Sequence, residues 1–282
     1  MNRVASGLIL TIPALLLIFL FFMIPMYNVI TDSFTLRSGF SFAYYDYLFN
    51  NKNFQEAFRY TLFVATVTTV GSALLGLIFS FALRNTFFGR KLAIFVYQLN
   101  ISIPVLMVAL LMFILFTNNG FFATIMYNLG MIVSPNDFHA LILDREGIGV
   151  LVAYIWKFFP FIGISILSAL QTVSVDYEDL SKTLGIGPVR TFIHVTLPSI
   201  KTSILSTSLI VFAFCFGSYD LPSLIGSRET LPVMAYYDFF ISPFTNSEYL
   251  AYAITSIICL VMVVCSVAYL YLTIPRGRSR RE

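Results

Sequence analysis

Lys157 and Asp220 stand inside otherwise apolar runs of this 282-residue chain. A charge at the centre of a bilayer costs roughly 2.5–3.5 kcal/mol on insertion scales, so each needs a partner or a task. Opposite charges on neighbouring helices can pair, gate a pathway or meet a charged solute. Trp156 precedes the lysine and Tyr219 precedes the aspartate. Aromatic faces beside an acid suit an organic cation through cation–π contact. Trp156, Lys157, Tyr219 and Asp220 are therefore the candidate pathway residues, although an aromatic content of 17% makes such neighbours common by chance. Nothing else in the chain points to covalent chemistry. His139 and His194 lie in polar connections without an acid paired to them in an apolar run. Cys215, Cys259 and Cys265 have neither metal nor disulfide spacing and read as small buried hydrophobes. No G-x-x-x-x-G-K-[ST] stretch occurs, so the chain has no phosphate-cradling loop of that type. No catalytic and no metal residue is expected.

These residues must be positioned by an unusually oily scaffold. The chain is 58% apolar and 11% charged, with a mean hydropathy of +0.85. A soluble domain is about 45–50% apolar and about 25% charged. So little charge cannot cover a globule of this size, which argues against a soluble enzyme, a disordered chain or a nucleic-acid binder. An all-α, polytopic membrane protein is expected. Six runs are long enough, at about 20 apolar residues each, to cross the hydrocarbon layer. They fall near 8–30, 60–83, 92–116, 148–170, 204–225 and 249–274. The first has one preceding arginine and no small-residue cleavage site, so it reads as a span rather than a signal peptide. The runs are continuous blocks and not the ten-residue alternations of a barrel. Ser72, Gly76 and Ser80, spaced by four, give the second helix a face that another helix can approach closely.

Basic residues set the expected orientation. Six spans put both termini on one side, with Arg3, Arg84, Arg90, Lys91, Lys182, Arg190, Lys201 and the basic tail Arg276–Arg281. The other side holds Arg37, Lys52, Arg59, Arg145 and Arg228 among nine acids. Eleven basic residues against five place both termini in the cytoplasm by the positive-inside rule. Lys157 then lies about nine residues, roughly 13 Å, below the outer edge, and Asp220 roughly 8 Å below it, at 1.5 Å per residue. Their similar depth in the outer half makes pairing or joint contact with solute the expectation. Tyr44, Tyr45 and Tyr47 suit an interfacial belt, and the short apolar stretch near 120–132 suits an interfacial or re-entrant helix.

One polar segment on the expected inner side stands out, the connection 171–201 between the fourth and fifth spans. Its length of about 30 residues exceeds a plain helix connection. Asp176 to Leu184 reads as a short helix with an acidic first turn, which suits the helix dipole. Gly185 and Gly187 can bend it, Pro188 can open a second helix, and Pro198 marks the entry to the fifth span.

Gly185, Phe192 and the Leu197-Pro198 pair resemble the "EAA" loop of permease subunits of type I ATP-binding-cassette importers. Aligned on Gly185, the family glutamate falls on Asp179 and its two alanines on Leu180 and Ser181. The triplet thus departs from the family pattern with its charge sign kept, and Glu178 lies one position away. The likeness extends to six spans, inner termini, an outer helix between the third and fourth spans, and the loop two spans before the C-terminus. The segment FGSYDLPSLIGSRETLPVMAY (residues 216–236) makes the chain look most similar to spermidine/putrescine-type permeases.

The resemblance implies a single transmembrane permease domain over 1–282 with no enzymatic role. It implies a loop that docks on a separate ATPase, with Glu178, Asp179, Lys182, Gly185, Phe192, Leu197 and Pro198 as its coupling residues. No cofactor is expected on this chain; ATP and Mg belong to the partner ATPase. The expected partners are ATPase subunits, an extracytoplasmic solute-binding protein, membrane lipid and a second permease subunit. That subunit is a different chain or, alternatively, a copy of this one. The expected location is a prokaryotic cytoplasmic membrane. A polyamine is the expected solute, with phosphonate, thiamine, iron and sugar open. The competing reading is an ion-coupled secondary transporter with Lys157 and Asp220 carrying protons or sodium; against it, no inverted repeat is visible.

Overall fold

A computed structural model describes residues 3–36, 39–172, 180–181, 183–244 and 246–273, without the side chains of 3–10 and 36. Among the described residues, six helical stretches are long and apolar enough to cross a membrane. They are Thr11–Asp32, Lys52–Arg84, Val105–Asn128, Ile148–Thr172, Pro188–Gly217 and Ser247–Thr273. Among the described residues the architecture is all-α apart from a two-stranded hairpin. By its internal contacts the chain divides into two units, 1–56 with 231–261, and 57–230 with 262–282.

The first unit opens with α1 (Arg3–Ile18), a wide π-turn (Phe19–Met23) and α2 (Ile24–Asp32). Pro25 explains the wide turn. A proline has no N–H for the carbonyl four residues back, so the ladder shifts register, and the Ile24 N–H reaches five residues back to Phe19. The apolar side chains of this stretch are exposed, Phe21 to 76%, as befits a surface facing lipid or another subunit. Strands β1 (Thr35–Leu36) and β2 (Gly39–Phe40) pair antiparallel and carry a cluster of Phe34, Phe40, Phe42 and Tyr45. Helix α3 (Ala43–Asn50) follows, and Tyr44 stacks on Tyr249 at 5.8 Å between ring centroids.

The second unit is built on α4 (Lys52–Arg84), whose first residues belong to the first unit. Its 33 residues run about 50 Å at 1.5 Å per residue, more than the ~30 Å hydrocarbon layer, so Lys52, Glu56 and Arg59 sit at an end free to meet water. The sequence places one unbroken third span at 92–116; the structure breaks it. Helix α5 (Arg90–Ser102) stops at Ile103, whose backbone is extended, and α6 (Val105–Phe116) restarts after Pro104. The residue before a proline is driven out of the helical region, and here that bias ends the helix. Short α7 (Phe121–Asn128) follows Gly120. Helix α8 (Ile148–Thr172) keeps going through Pro160 and is the most buried span, with Ala153, Tyr154, Ile162 and Ile166 fully inside.

The fifth span also differs from expectation. It does not begin at 204 after a separate loop helix. Helix α9 (Pro188–Thr191) passes through a second π-turn (Phe192–Thr196) straight into α10 (Leu197–Gly217). The cause is the one seen at Pro25: Pro198 cannot donate to His194, so the Leu197 N–H bonds to Phe192, five residues back. Nor does the span run to 225. It ends at Gly217, Ser218 is extended, and α11 (Asp220–Ile225) starts afresh. Helix α12 (Leu231–Phe240) and the start of α13 (Ser247–Thr273) belong to the first unit.

The small-residue face of α4 meets α8. A side-chain carbon on Gly76 would lie 2.9 Å from the Gly163 backbone nitrogen, so neither position has room for one. The Ser80 hydroxyl, fully buried, lies within hydrogen-bond distance of the Gly76 and Gly163 carbonyls, at 2.5 and 2.6 Å. In a membrane, where helices gain little from apolar burial alone, such close backbone approach is what holds them together.

Candidate functional site

Lys157 is 7% exposed. Its ammonium carries three protons, and all three have acceptors: the carbonyls of Asn100 (2.9 Å), Ile101 (3.1 Å) and Ile103. These carbonyls lie at the end of α5. Pro104 has no N–H for Asn100 four residues earlier; the Ile103 N–H bonds to that carbonyl at 3.2 Å and the lysine adds a second donor. The arrangement is reciprocal. Pro160 orphans the carbonyl of Trp156, again four residues earlier, and the side-chain amide of Asn100 donates to it at 2.9 Å. Tyr97 adds a third strap, its hydroxyl donating to the Phe159 carbonyl at 3.1 Å. Each proline in one helix is thus compensated by a side chain from the other.

This corrects the expectation for Lys157. Its charge is accounted for by backbone dipoles of the broken third span, so its burial requires neither Asp220 nor a solute. Asp220 is exposed, in the first turn of α11, where a carboxylate complements the helix dipole. Tyr219 is half-buried just before it, and Trp156 is 40% exposed on α8. Asp220 is not among the three acceptors of Lys157.

The sequence did not reveal the carbonyls of Asn100, Ile101 and Ile103 as the partners of Lys157. A signal was present: a proline four residues after a polar residue in one span, and a proline four residues after Trp156 in the next. Reasoning from the sequence also missed a knot between the segment before α8 and the one after α11. The Asp144 carboxylate accepts the backbone N–H groups of Ile148 (2.6 Å) and Gly149 (3.1 Å), capping α8. The Ser227 hydroxyl donates to the Asp144 carbonyl at 2.5 Å, and the Leu143 N–H to the Ile225 carbonyl at 2.8 Å. Arg228 lies over the Tyr60 ring, 5.5 Å from its centroid. Gly147 has φ +78°, and a side-chain carbon there would collide with the Tyr60 hydroxyl.

Of the loop residues singled out by sequence, Glu178, Asp179 and Lys182 lie outside the described residues. Gly185 is described, with φ +70°. The Ile186 N–H bonds back to the Ser181 carbonyl at 2.9 Å across it, the pattern of a helix closed by a left-handed glycine. Gly187 then caps α9 with its carbonyl, which accepts the Thr191 N–H at 3.0 Å. Phe192 packs edge-on against Phe81 of α4, with centroids 5.4 Å apart. A cleft of about 440 Å³ opens between the end of α4 (Phe81, Arg84) and Ile186, Pro188 and Phe192. Leu197 and Pro198 line the side of α10.

Six apolar stretches, a proline-broken third span and a glycine-capped polar segment feeding the fifth define a polytopic helical transport component. Residues 72–277 match the family described as the binding-protein-dependent transport system inner membrane component, and the chain belongs to that family. It is similar to the sulfate transport system permease protein CysW of Synechococcus elongatus, with 30% identity over 227 residues covering 78% of this chain and 74% of that one. It is also similar to a spermidine/putrescine transport system permease protein PotC homolog of Mycoplasma genitalium, 28% identical over 178 residues, 62% of this chain and 56% of that one. Among solved structures, a chain of a bacterial alginate ABC transporter in complex with an alginate pentasaccharide-bound periplasmic protein superimposes with a TM-score of 0.79, over 96% of this chain and 94% of that one, at 15% identity. The fold is that of an ABC importer permease, and the chain is the multi-pass membrane component rather than an enzyme. Its partners are therefore a binding protein, ATPase subunits and a second permease subunit. Family membership sets aside the ion-coupled secondary transporter.

Proposed function

We propose that the chain forms half of a solute pathway and is driven by a separate ATPase that grips residues 173–187. The observation carrying this reading is the unbroken helix from Pro188 to Gly217. From Pro188 onward a force passes through the π-turn into the fifth span without a break in the helix, and Ile186 and Gly187 join that helix to the Gly185 bend. In this reading Glu178, Asp179 and Lys182 contact the ATPase, and ATP and Mg are held there. Phe192, braced on Phe81, and the Leu197-Pro198 entry carry the motion. The excess of basic residues flanking these connections supports placing them, and both termini, in the cytoplasm.

The solute we propose is a small oxyanion of the sulfate type. Permeases of sulfate systems recur among the relatives, and CysW matches this chain at higher identity and over more of its length than the polyamine homolog does. The PotC homolog supports polyamine import as the second reading, with Asp220 and Tyr219 as the cation's contacts. Among the described residues, the two buried charges are Asp144 and Lys157, and both are engaged by backbone groups. Selection by charge therefore falls to the binding protein and to exposed residues of this chain. Proteoliposomes holding the complete complex and its binding protein, offered radiolabelled sulfate and radiolabelled spermidine, test the assignment. Sulfate uptake that needs ATP supports it; uptake of spermidine alone overturns it in favour of the second reading.

A further inference from the structure

The cleft of about 440 Å³ at the end of α4 carries an inference that does not depend on the solute. Its walls are mostly apolar, with Phe81, Ile186, Pro188 and Phe192 around Arg84. The charges near it have one sign. Residues 81–92 and 183–201 hold Arg84, Arg90, Lys91, Arg190 and Lys201 and no acid. The acids of the connection, Asp176, Glu178 and Asp179, all precede the second stretch. Three of these cations stand at the cleft or beside it. Arg84 lines it, and Arg190 lies in α9 between the lining residues Pro188 and Phe192. Arg90, at the start of α5, donates through Nε to the carbonyl of Leu83, the neighbour of Arg84, at 2.8 Å. The turn from α4 to α5 sets apolar side chains next to these cations: Phe88 is fully exposed, and Phe87 and Leu92 are exposed beside it.

We propose that this cleft seats an anionic phospholipid, with the headgroup phosphate among Arg84, Arg90 and Arg190 and a stretch of acyl chain against Phe81, Ile186, Pro188 and Phe192. Two independent features select this ligand. Basic groups at the end of a membrane span attract anionic headgroups, and basic pockets between helices hold them. A guanidinium suits a phosphate in particular, because its paired N–H groups match two phosphate oxygens. The second feature is the exposed turn. Aromatic rings alongside basic residues belong to the headgroup layer, which is oily on one side and wet on the other. In water on all sides, Phe87, Phe88 and Leu92 would gain nothing from their exposure. A small soluble anion would meet the guanidinium groups and leave the apolar wall bare. A purely apolar partner would leave the cations without a counter-charge. A phospholipid answers both. The bound lipid stands against Ile186 and Phe192, on the stretch that joins residues 173–187 to the fifth span.

The test uses the complete permease–ATPase complex, stripped of lipid in detergent. It is titrated with dioleoyl phosphatidylglycerol or dioleoyl phosphatidylcholine, which carry the same chains, and bound lipid is counted by native mass spectrometry. The parent is expected to hold phosphatidylglycerol at a saturable site at least about tenfold more tightly than phosphatidylcholine. Arg84→Gln with Arg190→Gln is expected to bring the two lipids within about threefold of each other. Lys52→Gln with Arg59→Gln, exposed at the other end of α4, is expected to keep the parent's preference. Ile186→Trp, which fills the cleft and leaves the charges, is expected to abolish the tight site. No preference in the parent overturns the proposal and leaves the cleft to a protein neighbour. A preference that the arginine pair does not alter, or that the Lys52 and Arg59 pair removes equally, also overturns it. Should the arginine variant fail to assemble, Ile186→Trp decides: loss of the tight site supports the proposal, and its persistence overturns it.

Discussion

At the scale of single residues, Lys157 and Asp220 illustrate how two similar letters part company once their surroundings are known. Lys157→Met takes the lysine's donors from the Ile101 and Ile103 carbonyls, while that of Asn100 keeps the Ile103 N–H; each buried unpaired group costs about 1–3 kcal/mol, partly offset by no longer burying a charge. The purified complex should lose thermal stability by several degrees in a melting assay, whereas Asp220→Asn, on an exposed helix start, should melt like the parent. Asp144→Ala removes the cap of α8, worth about 1 kcal/mol, and should lower the melting point by less than Lys157→Met does. The sequence made the isolation of Lys157 plain, because a lysine inside an apolar run always needs an explanation. Its partners were hidden because they are backbone carbonyls, which leave no side-chain signature. Only the fourfold offsets Asn100 to Pro104 and Trp156 to Pro160 betray them.

At the scale of elements, the helices were legible and their interruptions were not. A run of about 20 apolar residues announces a span by length alone. Hydropathy averages straight across Ile103-Pro104 and across Ser218, since extended apolar backbone is as oily as helix. The continuity from Pro188 into the fifth span was likewise obscured, because Pro198 looks like a helix start until a π-turn absorbs it. Two substitutions test the roles of these elements. Gly163→Leu places a side chain where the Tyr97 hydroxyl and the Gly76 backbone already sit; loss of folded, assembled complex by size exclusion is expected, with Gly187→Leu, in open space, assembling normally. Gly185→Val forces a branched residue into a left-handed conformation, at a cost of about 1–2 kcal/mol. Assembly should survive, and the ATP hydrolysed per solute imported should rise as the bend loses its shape.

At the scale of the whole molecule, composition alone required a membrane, and the polar segment 171–201 required an explanation on one face of it. Family membership supplies the class of explanation, a permease served by a binding protein. The solute was not legible because the interior charges of this chain are committed to holding its own helices; the polyamine expectation rested on the resemblance carried by residues 216–236 and, faintly, on aromatics that are abundant everywhere in the sequence. The account's central claim is that energy enters through the segment after the fourth span. It is tested most directly by measuring ATP-dependent uptake in proteoliposomes of the complete complex, before and after residues 173–187 are replaced by a Gly/Ser linker of equal length. The expected result is a folded permease whose uptake is abolished and whose association with the ATPase is lost. Accumulation that continues with the linker in place, or that needs an ion gradient and no ATP, would contradict the account.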